Sequence, residues 1–355
     1  MKHSPFKFLA AFGPEDYDHF FGRDRETAQL YNAVYASNLT LLYGASGTGK
    51  TSLVNCGLRN KFYYTEWLPI FIRRGERINE SLRKEVAITL NSLDRKLVDN
   101  LLITNDLLKN LTQLYFAHYK PVYLIFDQFE ELYISGELSE QIAFYQQIKS
   151  ILESNLQVKI ILIIREEWIA FLNDFERIIP NLFDNRLRVE RMTNRTVARV
   201  IYQTLQYHDI GLTKPKITIK AMLNNLRNNE GIALPNLQVY LDKLYRKAVS
   251  SGNAPVTFSP QLVHAVGPIA NVLADFLEEQ LLYLEDKLRT ERGIKNPRGL
   301  PNEILFTLVT DEHTKRSLDL TAIQERLPNS YAISDEDLQY CLDEFRRIRI
   351  LRREQ

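Results

Sequence analysis

Residues Gly44-Ala45-Ser46-Gly47-Thr48-Gly49-Lys50-Thr51 carry the spacing G-x-x-x-x-G-K-[ST], directly after the apolar run 39–43. That spacing is a phosphate loop. Its glycines let the backbone curl until several N–H groups aim at one anion. Lys50 brings a point charge to β- and γ-phosphates, and the Thr51 hydroxyl is a Mg²⁺ ligand. Ser52 begins the stretch 52–58, read as a helix whose N-terminal dipole favours the same anion. Asp127 ends a second apolar run, 122–126, and a carboxylate there is placed to hold Mg²⁺ or its water.

Around Asp127 the string runs Gln128-Phe129-Glu130-Glu131. Glu130 or Glu131 could polarise an attacking water. The other reading of each is a solvated helix start, where acids suit the dipole. Gln128 stands where many fast ATPases carry their catalytic Glu, so either one of these two acids does the work or hydrolysis is slow. Arg165 follows the run 160–164 and would report a γ-phosphate through its fork of donors. Its alternative is a surface arginine paired with Glu166 or Glu167.

These groups need strands that end together. The runs 39–43, 68–73, 122–126 and 159–164 read as short buried strands, with a fifth at 185–191 and the second starting after Pro69. Helices alternate with them at 24–36, 50–60, 78–97, 104–118, 137–154 and 166–173. The pattern is α/β, a parallel sheet with helices on both faces. Beyond residue 193 helices dominate, at 194–207, 217–228, 234–250, 268–291, 302–310, 319–327 and 334–350, with one short strand at 256–258. The expected domains are 1–193, a helical lid 194–260, and 268–355.

The 355 residues carry a net charge of +1, so no global field draws the chain to nucleic acid or membrane. Two cysteines, Cys56 and Cys341, and six scattered histidines give no zinc-ligand spacing and fit a reducing cytoplasm. No apolar run approaches the ~18 residues of a membrane span, and no signal peptide opens the chain.

The segment Phe20-Phe21-Gly22-Arg23-Asp24-Arg25-Glu26 precedes the phosphate loop by about twenty residues. With the string Asp127 to Tyr133, it resembles the hhGRExE and DQFEELF elements of STAND NTPases, with Asp24 in place of the usual Glu. The resemblance implies that Gly22 and Arg23 lie against the nucleotide and that Arg165 is the sensor arginine. It also implies that Pro235, in Gly231-Ile232-Ala233-Leu234-Pro235, packs near adenine, although this spacing is looser than the family's G-x-P. It favours ATP and ADP over GTP, and it makes 268–355 a winged-helix-like domain.

The expectation is an ATP-operated switch, ADP-closed and ATP-open, self-associating when active. It would be part of a longer protein with sensor or effector domains. Two other readings stand beside it. One is a nucleic-acid-acting AAA+ or origin-binding ATPase using Arg346, Arg347, Arg349, Arg352 and Arg353, residues that also read as the solvated face of a terminal helix. The other is a nucleotide-binding scaffold that never hydrolyses.

Overall fold

The computed structural model describes residues 4–92, 104–228, 231–252, 255–309, 316, 318–328, 331, 333–347, 350 and 351. Two compact units divide at residue 266/267. The first contains α1 (Asp24–Ala36), β1 (Leu39–Gly44), α2 (Lys50–Ser52), β2 (Leu68–Ile72), α3 (Ile78–Asn91), α4 (Leu107–His118), β3 (Val122–Phe126) and α5 (Glu131–Ile134). It continues through α6 (Leu138–Glu153), β4 (Val158–Arg165), α7 (Asn173–Ile178) and β5 (Arg186–Arg188). Then come α8 (Asn194–Tyr207), β6 (Gly211–Leu212), α9 (Pro215–Leu226), α10 (Leu234–Ser250), β7 (Thr257–Phe258) and α11 (Pro260–Val266).

The main sheet runs β2-β3-β4-β1-β5, and every described pairing in it is parallel. Strands buried on both sides explain the unbroken apolar runs. Side chains alternate between faces, so Leu41, Leu124, Phe126, Ile160 and Leu162 face the core under α3, α4 and α6. Leu42, Ile125, Ile161 and Ile163 face the opposite core with Leu30 and Val34 of α1. Placing β4 between β1 and β3 sets Gly44 directly opposite Arg165. Ile72 sits opposite Phe126, so Arg73 and Asp127 leave the sheet side by side.

Several sequence expectations are corrected. β2 begins at Leu68, before Pro69, because it is an edge strand. The Leu68 N–H turns inward to Pro121 O, so the proline's missing donor faces the free edge. The helix expected over 50–60 is an α turn that widens to π winding over Leu53–Leu58 and closes in a 3₁₀ turn at Arg59–Lys61. α1 lies hard against it: a Cβ on Gly57 would come within 2.6 Å of Thr27 Oγ1. α3 stops at Asn91; the expected residues 93–97 lie outside the described set. β5 keeps only three of the expected seven positions, 185–191. The strand β7 pairs in parallel with β6, and α11 follows it; neither β6 nor α11 was anticipated.

The second unit's described residues form α12 (Ile269–Thr290), α13 (Leu300–Thr307), α14 (Leu320–Arg326) and α15 (Asp335–Arg347). They share a core of Leu284, Leu288, Ile304, Ile323, Leu338 and Phe345. This part is helical; strands of a wing are not among its described residues.

Candidate functional site

The C-terminal ends of β1, β3 and β4, with the residue after β2, bring the chemistry together. Gly44 ends β1 against the β5 side of the sheet. A Cβ there would stand 2.3 Å from the Val189 carbonyl oxygen, so only glycine fits. The loop then turns through Gly47 at φ +74° and Gly49 at φ +87°, both in the left-handed region. Thr48 is buried and its hydroxyl donates to Ala45 O at 3.0 Å, which stiffens the turn. Ser46, at the tip, is exposed.

Lys50 Nζ donates to Gly44 O at 2.7 Å and Ala45 O at 3.0 Å, both in its own loop. Burial pulls its ammonium below the usual lysine range. Glu130 opposes that shift, Arg165 adds to it, and Glu167 and Asp127 oppose it more weakly.

Thr51 Oγ1 donates to Asp127 Oδ1 at 2.9 Å. Asp127 is 5% exposed, held between β3 and the phosphate loop. A hydroxyl and a carboxylate are hard oxygen donors, and they fit Mg²⁺, which takes one or two protein oxygens and completes its shell with phosphates and water. Among the described residues, no group of three His, Cys, Asp or Glu side chains could hold a metal without such help.

Gln128 turns the chain through φ +59° just after Asp127. Phe129 N then bonds Ile163 O at 2.8 Å, which drops Glu130 between β3 and β4. Glu130 is 4% exposed, so the solvated-helix reading does not hold for it. Its Oε1 meets Arg165 Nε at 3.0 Å and its Oε2 accepts from Arg165 N at 3.2 Å. Arg165 is thus paired with Glu130, and Glu166 pairs with Arg188 instead. Glu131 sits half-buried in the first turn of α5.

Arg23 is 2% exposed. Its Nη2 donates to Thr48 O at 2.7 Å and Glu190 O at 2.9 Å, and its Nη1 to Glu26. In a trans peptide the Thr48 carbonyl points away from the Gly49 N–H. Arg23 therefore grips the carbonyl side of the loop, with its neighbour Gly22 at φ +82° under Val200 of α8. From the helical segment, Leu234 N donates to Gly47 O at 3.0 Å. Ala233 and Pro235 crowd Gly47: a Cβ there would lie 3.1 Å and 3.5 Å from them. Ser52 Oγ accepts from Phe12 N at 3.1 Å, tying the N-terminal arm to α2. Phe6 packs edge-on against His208, the residue after α8, and against Tyr245 of α10, so the arm also reaches the helical segment.

Sequence reasoning passed over Arg73, which bonds Asp127, and over Glu190 and Ala233, which act through backbone and close approach. Only the strand-ending position of Arg73 carried a local signal. Of the basic residues near the C-terminus, Arg347 is bound by Glu344 and Tyr283. The Arg346 side chain and residues Arg349, Arg352 and Arg353 lie outside the described set. No helix among the described residues is long and apolar enough to cross a membrane.

A phosphate loop on β1, a carboxylate ending β3 and an arginine ending the strand between them define a P-loop NTPase. The profile of the novel STAND NTPase 1 family matches residues 5–355, and the chain belongs to that family. No curated protein matches it in sequence. Its fold is similar to that of a Walker-type ATPase of Pyrococcus abyssi, at 17% identity and TM-score 0.50, covering 95% of this chain and 92% of that one. The ORC1 protein of Aeropyrum pernix in complex with DNA is similar at 15% identity and TM-score 0.50, covering 97% and 86%. The ORC2 protein of the same organism, in ADPNP and ADP complexes, matches at 14% and 0.52, covering 92% and 94%. These identities carry the fold alone.

Proposed function

We propose that this protein is a regulatory switch that binds ATP and ADP and hydrolyses ATP slowly. ADP holds it closed, and exchange for ATP opens it to self-association. One observation carries the reading: the phosphate loop is bonded on separate sides by Arg23, before the sheet, and by Leu234, in the helical segment. A loop held this way passes any rearrangement at the phosphates to both neighbours, which is what a two-state element needs.

In this reading the N–H groups of residues 44–52 cradle the phosphates. Lys50 leaves its own carbonyls for the β- and γ-oxygens. Thr51 and Asp127 would hold Mg²⁺, which when bound would neutralise charge on the transferring phosphoryl group. Arg165 reports the γ-phosphate, and in doing so loosens its hold on Glu130. Glu130, freed, is the better placed of the two acids to orient water. A base that must first leave a buried ion pair accounts for slow turnover, as does Gln128 in place of a second acid. Gly22, Arg23 and Pro235 join the neighbouring segments to the loop that holds the nucleotide.

Single-turnover hydrolysis with Glu130→Gln and Glu131→Gln tests the chemistry. Glu130→Gln should slow it by about 10²-fold or more, and Glu131→Gln by less than about threefold. Light scattering in ADP and in a non-hydrolysable ATP analogue tests the switch. Equal mass and equal hydrodynamic radius in both would remove it.

A further inference from the structure

Asp127 has a second partner. Arg73 Nη2 donates to Asp127 Oδ2 at 2.9 Å, while Thr51 takes Oδ1. The two donors sit on opposite oxygens of one carboxylate. The Asp terminal torsion is broad and two-fold, so a single donor leaves it free to swing. Two donors fix the plane of a carboxylate that is itself buried.

The support for Arg73 is built into the sheet. Asp127 N bonds Ile72 O at 2.9 Å, which holds the ends of β2 and β3 in register. The next residue, Arg74, forks onto Glu140 with bonds of 3.1 and 2.7 Å, and its carbonyl accepts from Ser81 Oγ at 2.7 Å. The backbone under Arg73 is thereby pinned on both sides. The Arg73 side chain remains 46% exposed and forms an ion pair with Asp127.

We propose that Arg73 is a positioning residue for nucleotide hydrolysis: it locks the Asp127 carboxylate with Oδ1 on Thr51, the pair that would hold Mg²⁺. The inference rests on the nucleotide reading above. Arg73 acts through Asp127, to which its Nη2 is bonded. Arg73 reaches Oδ2 with one Nη2 bond from a planar, rigid head, whereas a lysine would bring the same charge on a flexible stem.

The test uses the full chain with Arg73→Ala and Arg73→Lys. In EDTA, the affinities for fluorescent ADP and for a non-hydrolysable ATP analogue should stay within about twofold of wild type. With the ATP analogue bound, Mn²⁺ affinity read by electron paramagnetic resonance should fall about tenfold in Arg73→Ala, the scale for loss of an outer-shell partner. Arg73→Lys should recover only part of it, and kcat should fall with KM for ATP unchanged.

Tighter Mn²⁺ binding in Arg73→Ala would make Arg73 a competing counter-ion and overturn the proposal. Loss of ATP-analogue affinity in EDTA, with ADP affinity intact, would make it a γ-phosphate contact and overturn it too. A lower melting temperature with unchanged Mn²⁺ binding would leave a structural role only. A wild type that binds no nucleotide would sink the nucleotide reading and this inference together, whereas normal binding with inert variants would sink this inference alone.

Discussion

Replacing Arg23 by alanine should cost the first unit about 3–5 kcal/mol, the scale for removing one partner of a buried charged network. The structure supplies the reason. Arg23 is 2% exposed and its donors reach Thr48 O, Glu190 O and Glu26. Hydrogen bonds to a charged group contribute about 1.5–3 kcal/mol each, and the two carbonyls left behind lose their partner. Glu26, one-quarter exposed, recovers water and limits the total. At about 2–4 °C per kcal/mol for a unit of this size, the melting temperature should fall by about 6–20 °C.

Differential scanning fluorimetry of Arg23→Ala and Arg23→Lys, each with and without ADP, measures this. ADP affinity should drop with stability, because a loop released at Thr48 no longer presents its N–H groups together. Arg23→Lys should retain one carbonyl bond and lie between. Melting within about 1 °C of wild type would refute the brace. Loss of ADP affinity with full thermal stability would refute it differently, by making Arg23 a direct nucleotide contact.

Other perturbations follow the same geometry. Gly47→Ala forces an alanine to φ +74° with its Cβ 3.1 Å from Ala233, so ADP retention in a dialysis assay should be lost while the fold survives. Gly44→Ala should instead give insoluble protein on expression, because the obstacle 2.3 Å away is the Val189 backbone, which cannot yield. Arg165→Ala takes the ion-pair partner from buried Glu130, and denaturant melts should show a loss below the ~3–5 kcal/mol of a fully buried pair, since Arg165 is 37% exposed. The double variant with Glu130→Ala should lose less than the sum. Burial pushes the Cys56 and Cys341 thiols up to about 12 from an ordinary 9.0. The unfolded chain releases these protons near pH 9 and the folded chain keeps them. The resulting stability is whole below pH 9 and falls toward pH 12 by about 1.4 kcal/mol per thiol per pH unit. Neither thiol should react with a thiol reagent at pH 8 until the chain unfolds.

The parts of the site that were legible lie in contiguous strings. The phosphate loop is one run of eight residues, and Asp127 and Arg165 each end an apolar strand that its own composition announces. The parts that were not legible depend on which strands become neighbours. Arg73 looks like any arginine after a strand until β2 is placed beside β3 in register with Ile72 opposite Phe126. Arg23 belongs to a recognisable motif, yet its partners are the carbonyls of Thr48 and Glu190, which no side-chain pattern encodes. Glu130 and Glu131 are adjacent and chemically alike. The turn at Gln128 buries the first of them and leaves the second in the opening turn of α5. Pro69 misled because its rule concerns central strands, and β2 is an edge. The two-residue strand β6 is too short for any period to appear.

In the proposed switch, a braced phosphate loop keeps ADP in a closed resting state. Purified protein can be denatured and the released nucleotide separated on an ion-exchange column. ADP at close to one per chain is the expected result. An empty site that binds ATP weakly and turns it over quickly would contradict it.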